Sequence, residues 1–344
     1  MTRRQLLLTG AVLLRRAAAE TPQSPNLGAA PTGFGAHLRA AREAQKPADL
    51  VDVAHDLGLG VVETRLAPND PDAARKLRQK VETYGMRVIL DAPLPRDESD
   101  VARYDAAVRA CKDAGAISMH AAMTQRRYEE FDAFEPFKAG FERCQKQVAL
   151  AEPVLRKYRM KLGIENHKGW RSAEQAAWMR RVGSEWVGVH LDFGNNISLC
   201  EDPADTLKNL APYAVAGHLK DMAVQPYPEG FLLSEVPLGE GILDLQAWVR
   251  TLREKDRSFA FDLETITRDP LKIPVFTRKY WVTFDDSYSP LPGRDLARTL
   301  DIVARNPPKS PLPRTTGLTS AEQARLEDDN NRRSIEYART KLGL

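Results

Sequence analysis

Four short stretches of the chain each place one potential metal ligand at the end of a predicted β-strand. The ligands are Glu165 in LGIENH, Asp192 in GVHLDFGN, His218 in AGHLKD and Glu264 in FAFDLET. The first three lie about 26 residues apart, which is about the length of one βα unit in an eight-stranded α/β barrel. Because the parallel strands of such a barrel end on one face, we expect three carboxylates and one imidazole to converge on one point.

These side chains form a mostly hard set of ligands, since carboxylates outnumber the single imidazole. Such a set is typical of a site for one divalent ion, with Mn²⁺ expected first and Mg²⁺, Co²⁺ or Zn²⁺ also compatible. Each residue also has a structural interpretation: Asp192 could cap a turn, Glu165 could pair with a lysine, and His218 could be a core histidine. Four such residues at the same strand end in consecutive units favour the metal site.

Strand alternation extends the candidate site, because side chains two residues apart on a strand share a face. Four more ionisable residues therefore point the same way as the ligands, and we expect them to bind the substrate: His167, His190, Lys220 and Asp262. Burying so many charges costs several kcal/mol per ion unless a metal or a polar ligand compensates. The alternative is indirect support, in which His190 or Lys220 hydrogen-bonds a ligating carboxylate.

The composition is that of an ordinary globular protein, long enough to bury one large core. The chain has 344 residues, of which 42% are hydrophobic and 28% are charged. Its 50 basic and 47 acidic residues give a net charge of +3, and this balance indicates no nucleic-acid partner. The three cysteines, Cys111, Cys144 and Cys200, lack CxxC spacing and indicate neither disulfides nor a thiolate metal site.

The first 19 residues have the features of a twin-arginine export signal. Arginines at positions 3 and 4 precede an apolar run over residues 6–14 and three alanines at 17–19. The run is shorter than the ~20 residues of a membrane span, so we expect no stable span after signal removal. Export to the periplasm is therefore predicted. Two further arginines at 15 and 16 also fit a basic, amphipathic N-terminus on a cytoplasmic protein.

Beyond that segment, short apolar strand candidates alternate with helical patterns, as a parallel barrel requires. We interpret eight segments as strands: 34–38, 60–66, 87–92, 116–121, 162–167, 188–193, 215–220 and 259–264. The predicted fold is a single α/β domain, a (β/α)8 TIM barrel over residues 33–306, preceded by a linker at 20–32.

Three segments lie outside the regular repeat. Long loops follow the seventh predicted strand, at 222–244, and the eighth, and such loops either form lids that set specificity or pack as flaps. A proline-rich linker and a C-terminal helix occupy 307–344, where Ser320 and Gln323 match a capping box. This helix either docks on the barrel, docks on a neighbouring subunit in a homo-oligomer, or is solvated.

The stretches GIENH, HLDFGN, GHLKD and DLET resemble the xylose-isomerase-like TIM barrel superfamily, which contains sugar phosphate isomerases and epimerases and the AP endonuclease family 2 type. The similarity covers about residues 33–306. It implies one divalent metal held from strands five to eight by Glu165, Asp192, His218 and Glu264. In the ketose epimerases of this superfamily the two glutamates are also the acid–base pair, which implies that Glu165 and Glu264 are catalytic.

The resemblance implies a metal-dependent isomerase or epimerase that acts on a keto-sugar or related polyol through an enediolate, formed by proton abstraction beside the carbonyl. The alternative is a dehydratase or lyase that eliminates a β-oxygen from an inosose or keto-glycoside, since GHLKD is closer to the inosose dehydratase pattern. A non-catalytic exported sugar-binding barrel and an AP endonuclease rank lower, the latter because Asn195 stands where endonucleases carry a histidine. The expected partner is a small carbohydrate.

Overall fold

Eight parallel strands close into a barrel. The computed structural model describes residues 23–46, 48–67, 70–124 and 126–344. Helices surround the barrel, so the predicted (β/α)8 TIM barrel is confirmed. The predicted export signal at 1–19 lies outside the described residues. Within the described ranges, no helix combines the length and the apolar character needed to cross a membrane.

The barrel strands are short and almost entirely buried. They are β1 Ser24–Ala29, β2 Leu59–Thr64, β3 Arg87–Asp91, β4 Ser118–Ala121, β5 Leu162–Glu165, β6 Val187–His190, β7 Ala214–Leu219 and β10 Phe261–Leu263. Around the closed barrel their order is β1-β10-β7-β6-β5-β4-β3-β2. The last seven overlap predicted strands, because parallel barrel strands are buried on both faces and appear as apolar runs that end in polar residues.

The predicted first strand at 34–38 is wrong. Pro31–Phe34 forms a 3₁₀ turn and Gly35–Glu43 is a helix, whereas β1 lies upstream in the segment predicted as a linker. The sequence SPNLGA has low strand propensity because it contains Pro25 and Gly28. The barrel needs a glycine there, since a Cβ at Gly28 would lie 1.9 Å from Oδ1 of Asp262.

Helices connect successive barrel strands and complete the outer layer. The helices are α1 Gly35–Glu43, α2 Leu50–Asp56, α3 Ala73–Thr83, α4 Val101–Asp113, α5 Arg127–Glu130, α6 Phe134–Tyr158, α7 Ser172–Val182, α8 Pro203–Leu210, α9 Leu245–Lys255, α10 Arg278–Trp281, α11 Gly293–Arg305 and α12 Ser320–Tyr337. Their apolar faces pack against the strands in one large core.

The segment predicted as a long loop after the seventh strand contains regular structure. It forms the antiparallel hairpin of β8 (Asp221–Tyr227) and β9 (Gly230–Val236), and β11 (Leu271–Ile273) adds a third strand. Asp221 fixes the start of this hairpin, because its carboxylate accepts backbone N–H groups of Met222, Gly239, Gly241 and Leu243.

The C-terminal helix α12 docks on the barrel. The Glu327 carboxylate accepts the backbone N–H groups of Ala36 and His37 at 3.0 and 2.8 Å, at the start of α1. Such a carboxylate satisfies free donors at a helix N-terminus and complements the helix dipole. The capping box uses Thr319 and Glu322, one residue before the predicted Ser320 and Gln323.

Candidate metal centre

Three of the four predicted ligands lie together at the carboxyl ends of β6, β7 and β10. Asp192, His218 and Glu264 each offer a ligand atom within 4.8 Å of the others. Nδ1 of His218 lies 3.5 Å from Oε2 of Glu264 and 3.8 Å from Oδ2 of Asp192. All three side chains are buried. The barrel thus brings residues that are far apart in sequence to one point, as their strand-end positions predict.

The fourth predicted ligand, Glu165, belongs to a neighbouring group with His120 and His218. Its Oε2 lies 3.2 Å from Nε2 of His120, and its Oε1 accepts Nδ2 of Asn195 at 3.2 Å. Burial opposes ionisation of Glu165, but the neighbouring imidazoles hold its pKa well below the usual range. Because His218 belongs to both groups, the four predicted ligands all lie around its ring.

The orientation of the His218 ring fits a cation at this point. Nε2 lies 3.0 Å from Oε2 of Glu63, and since a carboxylate only accepts hydrogen bonds, Nε2 carries the proton. This leaves Nδ1 facing Asp192 and Glu264. Among the described residues, neither Nδ1 of His218 nor Oδ1 of Asp192 has a hydrogen-bond partner, although both are buried. Buried polar atoms are rarely left unpaired, so this donor set fits a divalent ion.

Lys220 adds an internal cation to the same cluster. Its Nζ donates to Oδ2 of Asp192 and to Oε2 of Glu264, both at 2.7 Å. Burial disfavours the charged lysine, but the two carboxylates raise its pKa well above the usual range. The ammonium therefore offsets part of the negative charge. Lys220 thus hydrogen-bonds the carboxylates of two predicted metal ligands, which is the alternative role expected for this residue from the sequence.

The first half of the barrel contributes three ionisable residues that the prediction missed. Glu63 holds His218, and Nδ1 of His120 lies 2.9 Å from Oδ1 of Asp91 and 3.5 Å from Oε1 of Glu63. These residues follow the apolar runs of β2, β3 and β4 in VVETR, RVILDAP and ISMHAA. The same strand-end signal that indicated the four ligands would have found them.

Above the cluster lies a cavity of about 600 Å³, a size typical of small-molecule sites. Two of the four residues predicted to bind substrate, His167 and Lys220, line it. Nδ1 of His167 donates to the Thr124 carbonyl at 2.6 Å. Burial lowers the pKa of His167, so its imidazole is neutral near pH 7. Glu165, His218 and Glu264 line the same cavity, so the wall joins acids, bases and the candidate metal ligands.

The other two residues predicted to bind substrate, His190 and Asp262, lie deeper in the barrel. Neither is among the residues that line the cavity, and both are fully buried. Within the described ranges, the ring nitrogens of His190 and the carboxylate oxygens of Asp262 have no hydrogen-bond partner. Burial, with the nearby charge of Glu63, raises the pKa of Asp262 to about 8. Both are therefore buried away from the cavity wall, and His190 shares a group of possible ligand atoms with Glu63 and His218.

Two further cations on the cavity wall come from positions that the strand pattern did not indicate. Lys168 follows β5, and Arg268 follows β10. Arg268 makes two hydrogen bonds to the carboxylate of Glu235 on β9, which ties the hairpin to the cavity. Lys168 donates to the side-chain carbonyl of Asn195. The wall is therefore cationic on this side.

The sequence matches the model of one known protein family. The model for the xylose isomerase-like TIM barrel matches residues 51–280, more than half of the chain. The chain belongs to this family. The match covers β2 to β7 and β10, and with them all four predicted ligands of the xylose isomerase-like barrel. The expected membership of this family is confirmed.

Two curated proteins resemble the chain in sequence. The uncharacterized protein YihM of Escherichia coli is 24% identical over 62% of this chain and 64% of its own length. The 3-oxo-isoapionate decarboxylase of Pectobacterium atrosepticum is 31% identical over 31% of this chain and 39% of its own length. The chain thus spans less than two thirds of either relative.

Solved structures share the fold. A xylose isomerase-like TIM barrel protein from Mycobacterium smegmatis, determined in complex with magnesium, superposes with a TM-score of 0.53. It is 14% identical in sequence, and the match covers 82% of this chain and 99% of that one. At this identity the likeness concerns the fold.

Proposed function

We propose that this protein is a divalent-metal-dependent isomerase or epimerase that moves a proton beside the carbonyl of a keto-sugar. The observation that supports it most is the placement of two buried glutamates, Glu165 and Glu264, in separate groups of donor atoms that share His218. Proton transfer between neighbouring carbons, or between the two faces of one carbon, needs a base and an acid at distinct places beside the reacting centre.

Asp192, His218, Glu264 and Glu165 would hold the metal, with Mn²⁺ expected first and Mg²⁺, Co²⁺ or Zn²⁺ also compatible. When bound, a divalent ion would polarise the carbonyl and stabilise the negative charge that develops on its oxygen. Burial opposes the cationic form of His218, but Glu264 and Glu63 raise its pKa well above the usual range. Metal binding at Nδ1 is therefore expected to release a proton from this ring.

Glu165 is the better placed base for the first proton transfer. Its direct partners are an imidazole and an amide, and His120 links it onward to Asp91. Glu264 is held more firmly, because Thr32 donates to its Oε1 at 2.6 Å and Lys220 donates to its Oε2. If Glu264 in its acid form delivers a proton to the opposite face of the same carbon, the result is epimerisation; if the proton goes to the former carbonyl carbon, the result is isomerisation.

A lyase is the second candidate, because it would pass through the same enediolate. Elimination of a β-oxygen from an inosose or keto-glycoside needs a proton donor at the cavity wall, where the Lys220 ammonium lies. The partial resemblance to a 3-oxo-isoapionate decarboxylase favours this class, since loss of CO₂ from a 3-oxo acid also leaves an enolate. Product analysis separates the two candidates, because elimination and decarboxylation change the composition of the substrate.

The test combines metal content with solvent exchange. Purified protein is assayed for bound metal, loaded with Mn²⁺, and incubated in D₂O with a panel of ketoses, inososes and oxidised glycosides. A catalyst of this type introduces deuterium at the carbon beside the carbonyl. Metal bound without exchange in any member of the panel would contradict the proposal and indicate a binding protein.

We also propose that the chain is exported by the twin-arginine route. The supporting feature is the sequence at positions 3–19 alone, which lies outside the described residues. Cell fractionation of the native chain, compared with a variant that has lysines at positions 3 and 4, tests it. Equal cytoplasmic retention of both would contradict export.

A further inference from the structure

Lys168 is a buried cation on the cavity wall. The residue is 3% exposed, and its Nζ donates to Oδ1 of Asn195, a neutral amide. Among the described residues, no carboxylate lies within ion-pair distance of this ammonium. Lys168 therefore presents to the cavity a positive charge that, among the described residues, has no direct ion-pair partner.

Other cations in the region are compensated. The Lys220 ammonium contacts the carboxylates of Asp192 and Glu264, and the Arg268 guanidinium contacts that of Glu235. Taking an ammonium out of water costs several kcal/mol unless an opposite charge is supplied. Burial, with repulsion from Lys220, lowers the pKa of Lys168 to about 8, so most of it is charged at pH 7. An anion in the cavity would supply the missing charge.

Arg268 can take part in holding such an anion. Its Nε and Nη2 are used on Glu235, and Nη1 has no hydrogen-bond partner among the residues the structure describes. The side chain lines the cavity and is about one third exposed, at 32%. A guanidinium fixed by one carboxylate keeps a donor free for a second.

Given the proposed function, we infer that the substrate is a keto-sugar acid whose carboxylate binds Lys168, with Arg268 as the second donor. The amide of Asn195 joins this position to the base, since it accepts from Lys168 and donates to Glu165 at 3.2 Å. One lysine and one free guanidinium nitrogen match a singly charged carboxylate. A phosphate ester, with two charges and three terminal oxygens, would need more donors.

The test uses pairs of probes that differ only in the carboxylate. 2-Keto-D-gluconate is compared with D-fructose, and 5-keto-D-gluconate with L-sorbose, by calorimetric titration of the Mn²⁺-loaded protein at pH 7. At least one acid should bind about tenfold or more tightly than its neutral partner, the range of a charge-assisted hydrogen bond. Equal binding within both pairs, or no binding of either acid, would overturn the inference. Tighter binding of D-fructose 6-phosphate than of both acids would also overturn it.

Variants locate the preference. Lys168→Met should abolish the difference between acid and neutral sugar, Lys168→Arg should keep it, and the exposed Lys112→Met should match the native protein. A uniform loss of both probes in Lys168→Met would assign Lys168 a positioning role through Asn195 and overturn carboxylate binding. If Lys168→Met does not fold, titrations of the native protein and of Lys168→Arg still decide whether the acid binds more tightly than the neutral sugar.

Failure of this inference is distinguishable from failure of the proposed function. Deuterium exchange into D-fructose or L-sorbose, together with equal binding of acid and neutral sugar within both pairs, would support the isomerase and contradict carboxylate binding. Tighter binding of the acid that depends on Lys168, without deuterium exchange in any sugar, would support carboxylate binding at Lys168 and contradict the proposed isomerase.

Discussion

The two ends of the barrel interior differ in chemistry although they lie on the same strands. At the amino end Val61, Ile89, Ala216 and Ala260 form a small apolar cluster. Two residues further along the chain from each of them are Glu63, Asp91, His218 and Asp262, which lie in β2, β3, β7 and β10. Because side chains two residues apart share a face, one strand supports the fold at one end and the site at the other. Substitutions at the two ends should therefore separate stability from function.

The largest expected effect is at the carboxyl end. Glu165→Gln or Glu264→Gln keeps an oxygen ligand and removes the acid–base group, so turnover should fall by at least ~100-fold while some metal stays bound. Steady-state exchange kinetics and metal analysis measure the two quantities separately. Glu98→Gln, at an exposed position, is the matched control. Near-normal turnover in both variants would show that the base lies elsewhere.

The opposite result is expected at the amino end. Ile89 is fully buried in the apolar cluster, so Ile89→Ala should lower the free energy of unfolding by about 2–5 kcal/mol, and Ile89→Val by about 0.5–1.5 kcal/mol. Metal stoichiometry of the folded fraction should not change. Denaturant unfolding and metal analysis measure both. Loss of metal in the folded Ile89→Val protein would show that the two ends are coupled.

The same contrast explains how much of the molecule could be predicted from its sequence. Strands β5, β6 and β7 were recognisable because an apolar run ends in a ligand, as in LGIE before Asn166. Strand β1 was not recognisable, because Pro25 and Gly28 lower its strand propensity and are suited to contacts with neighbouring strands. The Pro25 carbonyl accepts a hydrogen bond from Arg87, and Gly28 leaves room for the side chain of Asp262. Tertiary packing decided that segment.

Part of the candidate site could be predicted from the sequence, namely the group of metal-type ligands, but their hydrogen-bond partners could not. The grouping of Asp192, His218 and Glu264 follows from their positions at the ends of successive barrel strands, which could be predicted from the sequence. The hydrogen bond from His218 to Glu63 joins residues 155 positions apart, and its geometry depends on barrel closure. Lys168 lies just past the end of β5, so strand phase carries no information about its direction. That no described carboxylate forms a direct ion pair with it is visible only in three dimensions.

We expect an effect of intermediate size at Glu63, because this residue hydrogen-bonds the ligand His218 and is not itself one of the proposed metal ligands. Glu63→Gln keeps a hydrogen-bond acceptor but weakens the interaction that fixes the ring with Nδ1 free, so metal affinity should fall by about 10–100-fold. Competition with a metal chelator measures the affinity. Val61→Ala, on the same strand at the amino end, is the control. Unchanged affinity in Glu63→Gln would mean that the ring is oriented by other contacts.

The smallest effect concerns pH and the cationic side of the cavity. Lys168 is surrounded by Lys220, Asp192, Glu235 and Arg268, and burial, with repulsion from Lys220, sets its pKa at about 8. This value lies below that of a free lysine, so the ammonium loses its proton as the pH rises through 8 and its attraction for a carboxylate declines. Each further unit of pH should weaken binding by up to about tenfold until the pKa of the occupied site is reached. Binding of the neutral sugar should stay constant over the same interval.

The matched variant for this measurement is Lys168→Arg, because a guanidinium stays charged across the whole range. Titrations of 5-keto-D-gluconate and L-sorbose at pH 7, 8 and 9 should therefore converge for the native protein and stay apart for the arginine variant. A parallel decline of acid and neutral sugar in both proteins would point to His167, Glu165 or the metal ligands as the titrating groups. An acid preference in the native protein that is constant up to pH 9 would mean that the carboxylate is held by Arg268 without Lys168.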